Sequence, residues 1–200
     1  ALLGWNPGND IEMMSLDEMV NLFMLERVNK SGARYDLKKA AWFQKNYMLK
    51  SDPDRLAIDL MRDERVAEWW KSRTIDPVYL SSVCAAMKEK TSFVTEFYDM
   101  GKYFFETPAT IDCPSDMIVF RDKFAAWIAD VGMWGGILSH DTVRAAFDNA
   151  VAATGVDPRG AGKYLRDAIT GMKAGPPIFD VISIIGALKS LERLGVKVVA

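Results

Sequence analysis

The sequence predicts an all-α fold, two consecutive small helical bundles after a short helical N-terminal piece. Three observations predict it. Helix-start residues recur along the chain, with Ser15, Asp36, Asp52, Asp76 and Thr91 each heading an apolar stretch. Within those stretches apolar residues return at the 3.6-residue spacing of an amphipathic helix. Glycines stand where helix C-caps belong, at Gly155 and Gly195.

The elements follow in order. Ser15-Leu16-Asp17-Glu18 reads as a capping box, the Ser hydroxyl accepting from the third helical N–H while the Glu reaches back. Leu16, Met19, Val20, Phe23 and Met24 form an apolar stripe behind it, and stripes of this kind are read as core. Asp36 caps a second helix on which Ala40, Phe43 and Tyr47 share a face. Ser51-Asp52-Pro53 and Asp76-Pro77 place a cap residue before a Pro at the first helical position. Leu80, Cys84 and Met87 line one face of the helix after Pro77, and Thr91 is expected to cap a segment carrying Phe93, Phe97, Met100 and Phe104. The Pro- and Thr-rich stretch 106–114 breaks the pattern and is the best internal linker. Helices are expected around 116–131, 141–153 and 158–169, with a final pair from about 177 to 194. The run 196–199 reads either as a strand or as a frayed terminus. No repeat of solenoid length is present.

Composition narrows the function. Half of the 200 residues are hydrophobic and 26% are charged, as in ordinary globular domains. No apolar run approaches the roughly 18 residues that cross a bilayer, so no membrane partner is expected. The chain opens at Ala1 without a basic leader, and reads as a piece of something longer. Cys84 and Cys113 are isolated thiols, which points to a reducing, cytoplasmic setting and to no zinc site. His140 is the only histidine, and no nucleophile motif, phosphate loop or metal-ligand set accompanies it. A small helical enzyme is therefore disfavoured.

The net charge of −2 is unevenly spread. Leu25–Lys50 holds seven basic and two acidic residues, and 156–200 holds seven basic and four acidic. Two separated basic segments suit two parts of one long polyanion, and equally suit solvated helix faces.

Three segments, taken together, resemble the C-terminal half of bacterial-type glutamyl-tRNA synthetases. The first is Ala-Leu-Leu-Gly-Trp-Asn-Pro at residues 1–7. The second matches the family at Arg27, Val28, Ser31, Gly32, Tyr35, Asp36, Lys39, Trp42 and Tyr47, with Gln44 where the family usually has Asn. The third matches at Leu165, Arg166, Thr170, Gly171, Pro176, Phe179, Gly186, Arg193 and Leu194.

The resemblance implies a layout: the end of a stem-contact region over 1–50, then anticodon-binding subdomains over 51–106 and 107–200. It implies glutamate tRNA as the partner, with no role for DNA, and a monomer that works beside the catalytic domain of the same chain. ATP and magnesium belong to that catalytic domain. This chain carries neither ATP-binding signature, so it needs no cofactor and should be inactive as a ligase alone. Lys90, where the family commonly has Arg, and Arg166 are carried over as base readers, with Pro176, Pro177 and Ile178 framing a later base. Arg27, Lys30, Arg34, Lys38 and Lys39 are assigned to the tRNA backbone, because phosphate contacts set register while base contacts specify. The competing reading is an all-helical protein-interaction module without RNA binding, favoured by the pI near 5.5.

Overall fold

The helix signals become eleven α-helices among the described residues, and no strand longer than an isolated bridge. The computed structural model describes residues 2–9, 11–30, 32, 35–72, 76–133 and 138–196. They fall into two units, 1–48 and 49–200.

In the first unit, α1 (Leu16–Leu22) starts on the expected capping box, with Ser15 and Glu18 answering each other's main-chain N–H. The single bridge pairs Trp5 with Val28, and Asn29 N–H donates to Gly4 O at 2.8 Å. Helix α2 (Leu37–Lys50) is capped by Asp36, whose carboxylate accepts from the N–H groups of Lys38 and Lys39. Tyr47 from α2 reaches back to Met14 O at 2.8 Å. The expected core stripe of α1 is not core. Leu16 is 72% exposed, and Phe23 and Met24 are half exposed. Periodicity defines a face but not what covers it, and the described residues buried in this unit include Trp5, Met14 and Met48 instead.

The second unit begins with α3 (Pro53–Leu60), α4 (Glu64–Lys71) and α5 (Val78–Met87). Asp52 caps α3 ahead of Pro53 as expected, and such a cap is worth about 1 kcal/mol. Asp76 also accepts from the Val78 N–H, although the helix proper starts one residue after Pro77. Helix α4 was not foreseen. It is capped by Asp63, and its Val66 and Trp69 are buried. Thr91 departs from expectation: its hydroxyl donates to Met87 O at 3.3 Å, closing α5, while Glu96 holds the Ser92 and Phe93 N–H groups of the next turn. That segment is broken into a turn at Val94–Glu96, α6 (Phe97–Met100) and a 3-10 turn at Lys102–Phe104. Phe97 and Phe104 are buried, whereas Phe93 and Met100 are each 42% exposed. Trp69 stacks on Tyr79 and meets Phe105 edge-on at 5.3 Å, forming one aromatic core with Tyr98.

Residues 106–114 carry no helix. After them come α7 (Ile118–Met133), α8 (His140–Thr154), α9 (Pro158–Thr170), α10 (Ile178–Ile185) and α11 (Ala187–Arg193). Helix α7 packs on α8, with Phe120 edge-on to Phe147 and with Phe124, Ile128 and Val143 buried, and each such buried side chain contributes about 1.5–3 kcal/mol. Helix α10 packs on α8, α9 and α11, and also on α5. Gly155 ends α8 in the left-handed conformation, as its C-cap position predicted. Only Val196 of the run 196–199 lies among the described residues.

Arg193 connects these pieces. It is 6% exposed, and its Nη1 donates to Ile169 O at 2.8 Å, an end carbonyl of α9 that the helix cannot satisfy itself. Its Nη2 donates to Tyr103 O at 2.7 Å and Glu106 O at 3.2 Å. Burial lowers its pKa below the usual guanidinium value, yet arginine keeps its charge throughout the working pH range. One side chain thus ties α9 and α11 to the turn that ends the aromatic core.

Replacing Arg193 with Ala should strand three carbonyls and lower unfolding free energy by about 3 kcal/mol or more, read from urea midpoints. A loss under about 1 kcal/mol would contradict this anchoring role.

Candidate functional site

The site is built around the end of α9. Asp157 caps that helix, accepting from Gly160 N–H at 2.7 Å, with Pro158 at its first position. Ala161, Leu165, Ala168 and Ile169 are buried at helical spacing, which leaves Arg166 half-buried at the margin of the packed face. The helix stops at Thr170, whose hydroxyl donates to Arg166 O at 2.7 Å and accepts from Met172 N–H. Gly171, at φ +65°, then turns the chain back in a left-handed conformation that an L side chain resists.

The returning loop closes on Arg166. Nη2 of Arg166 donates to Pro176 O at 2.8 Å. Proline offers a carbonyl with no N–H of its own, so this hydrogen bond fixes the loop from one side. Pro176 is buried, Pro177 is exposed, and Ile178 opens α10 at 9% exposure. Gly175 sits against two polar atoms. A Cβ built on it would lie 2.9 Å from Tyr103 Oη and 3.4 Å from Arg166 Nη1. Those two atoms are buried and have no hydrogen-bond partner among the described residues. Burial pushes the Tyr103 hydroxyl up to about 12 against the opposing pull of the Arg166 charge, so it keeps its proton near neutrality.

Sequence-assigned residues therefore separate into groups. The structure brings Arg166 and Pro176 into direct contact, with Pro177 and Ile178 following on the same loop and helix start. Lys90 takes no part in that contact. It is exposed on the turn that closes α5, with its main-chain N–H donating to Met87 O at 2.8 Å. The helix ending there packs on the helix that starts at Ile178, so both lie on one framework.

Arg27, Lys30, Lys38 and Lys39 are exposed in the first unit, and Arg34 lies outside the described residues. Arg27 already donates to Pro7 O, and Lys39 pairs with Glu12 at 2.5 Å. Exposed pairs of this kind are worth about 0–1 kcal/mol, so Lys39 can exchange Glu12 for another anion at little cost.

Other chemistry-bearing residues have structural surroundings. His140 Nδ1 meets Asp180 Oδ1 at 2.5 Å, with the imidazole edge-on to Phe179. Burial pushes the Cys84 thiol up to about 12, which leaves it a poor nucleophile. No group of three or more metal-binding side chains occurs among the described residues. Sequence reasoning did not single out Tyr103. Its meeting with Gly175 arises from tertiary packing, which leaves no local signal.

A family model described as an anticodon binding domain matches residues 62–197. The chain is similar to the glutamate–tRNA ligases of Christiangramia forsetii and Bacteroides thetaiotaomicron, at 30% identity over 199 and 203 residues. It shares its fold with a crystal structure of a glutamate tRNA ligase from Elizabethkingia meningosepticum, at 24% identity and a TM-score of 0.81. The glutamate-tRNA synthetase of Elizabethkingia anophelis gives 25% identity and a TM-score of 0.77. Each of these four matches covers 97% of this chain and 38% of the relative, so the chain spans well under half the length of the proteins it matches.

The close approach at Gly175 is testable without RNA. Gly175→Ala should cost about 1–3 kcal/mol in urea unfolding, since the new methyl meets Tyr103 Oη, and adding Tyr103→Phe should recover part of that loss. An alanine tolerated at no cost would contradict the packing described.

Proposed function

The chain belongs to the anticodon binding domain family, and from that premise we propose that it reads the anticodon loop of glutamate tRNA for a glutamate–tRNA ligase. The observation that carries the reading is Arg166, a half-buried guanidinium held by Pro176 O beside a Gly-Pro-Pro loop, within the segment that matches the family. A guanidinium fork suits a nucleobase edge, because it presents parallel N–H donors in one plane. Unpaired loops are where sequence-specific RNA recognition concentrates, since their bases can splay and offer edges and faces.

In this reading Arg166 contacts a later anticodon base, and Pro176, Pro177 and Ile178 frame it. Lys90 contacts the first base with a single ammonium, where a guanidinium would offer two aligned donors. Arg27, Lys30, Arg34, Lys38 and Lys39 lie along the tRNA backbone, supplying affinity without sequence information. The layout places the end of a stem-contact region in 1–50 and two anticodon-binding subdomains in 51–106 and 107–200. The four matched ligases and synthetases, far longer than this chain, support a parent enzyme that attaches glutamate to its tRNA. That reaction consumes ATP, with magnesium, at a catalytic domain outside these residues. The protein would work as a single copy in the cytoplasm, and this portion would be inactive as a ligase alone.

Binding of the chain to a glutamate tRNA transcript, beside the same transcript with its anticodon replaced, tests the reading at two salt concentrations. The native anticodon should be preferred. Arg166→Ala should weaken that preference roughly tenfold, the effect of about 1–3 kcal/mol for a lost base contact. Lys90→Arg should sharpen it. Both transcripts should bind less as salt rises, because phosphate contacts release counterions. Equal affinity for both transcripts, unchanged by salt, would instead support a protein-interaction module.

A further inference from the structure

We propose that Tyr103 is a positioning residue for anticodon reading, its hydroxyl serving as the partner that orients the Arg166 guanidinium when an RNA base is bound. The inference rests on the anticodon reading above and adds to it a residue from a different part of the chain.

Two buried polar atoms without partners meet at one glycine. Arg166 Nη1 carries N–H donors and has no partner among the described residues, although it is buried. Tyr103 Oη is equally buried and equally unpartnered, on a side chain that is 2% exposed. Both atoms face the α-carbon of Gly175, within 3.4 Å of the point where a Cβ would stand. Buried polar groups without partners are rare in native folds, because each gives up its hydrogen bonds to water and gains none. Two at one spot, one a donor and the other able to accept, are complementary.

The surroundings hold Tyr103 firmly. Its carbonyl accepts from Arg193 Nη2 at 2.7 Å, and its ring meets Phe104 at a centroid distance of 4.7 Å. The same Arg193 grips Ile169, three residues along α9 from Arg166. Tyr103 and the end of α9 are therefore indexed to each other by one buried side chain. The Arg166 guanidinium is held among the described residues by one hydrogen bond, from Nη2 to Pro176 O.

A base reaching the Gly175–Pro176 loop would shift that tie. Rotation of the guanidinium would then let Nη1 donate to Tyr103 Oη, leaving the rest of the fork for the base edge. No bond to RNA is required of Tyr103 itself. The phenol keeps its proton near neutral pH, because burial pushes it up to about 12.

The test compares wild type, Tyr103→Phe, Arg166→Lys and the double variant of this chain. It uses anticodon stem–loop RNAs carrying the native or a replaced glutamate anticodon, with thermal unfolding of each variant alongside. Tyr103→Phe should lower affinity for the native loop about fivefold, the effect of one hydrogen bond, and leave the replaced loop and the melting temperature unchanged. In the Arg166→Lys background the same substitution should have no further effect. Unchanged preference in Tyr103→Phe, or an equal loss with and without Arg166, would overturn the proposal. So would parallel weakening of both RNAs with a lowered melting temperature, which marks a packing role. A wild-type chain that does not prefer the native loop would remove the anticodon reading, and this inference with it.

Discussion

A guanidinium buried in a protein interior must find acceptors, and that requirement at Arg193 governs the second unit. Its three carbonyls come from the end of α9, the 3-10 turn after α6 and the start of the helix-free segment at 106. No apolar side chain could replace it without leaving those carbonyls unsatisfied. The consequences run outward. The end of α9 is fixed, so Gly171 must turn there, and the returning loop must meet Arg166. Tyr103 is held by its own carbonyl, and its hydroxyl lies against Gly175. The candidate site is thus a product of the anchor beneath it.

Much of the fold was legible because helix ends are local. Ser15, Asp36, Asp52 and Asp76 all accept from nearby main-chain N–H groups, as their side-chain chemistry requires. Helix α4 carries a weaker local signal, with Asp63 and the Val66–Trp69 spacing but no Pro or Gly to mark it. Thr91 closes α5 instead of heading the next segment, since a hydroxyl can donate backward as readily as accept forward. The stripe on α1 shows the sharper limit. Helical spacing is real there, but burial depends on neighbours that a local pattern does not contain.

The candidate site was legible to a lesser degree. Arg166 and the Gly-Pro-Pro loop stood out only through resemblance to a family, since a lone arginine before a proline turn has no distinctive chemistry. Arg193 matched the same signature, but its anchoring role depends on carbonyls brought from distant parts of the chain. Lys90 was equally visible as a departure from a pattern, and its exposure leaves its ammonium available to a ligand. Tyr103 could not be read at all, because a phenol in a run of aromatics is ordinary until the fold brings glycine against its hydroxyl.

Two arginines divide the labour in this reading, Arg193 as a buried anchor and Arg166 as the proposed reader. Arginine side-chain N–H resonances, followed by NMR while a glutamate-anticodon stem–loop is titrated into the chain, test that division directly. The Arg166 signal should move and saturate with binding, while the Arg193 signal stays in place. Saturable binding that leaves Arg166 unmoved, or that displaces Arg193 with it, would contradict the account.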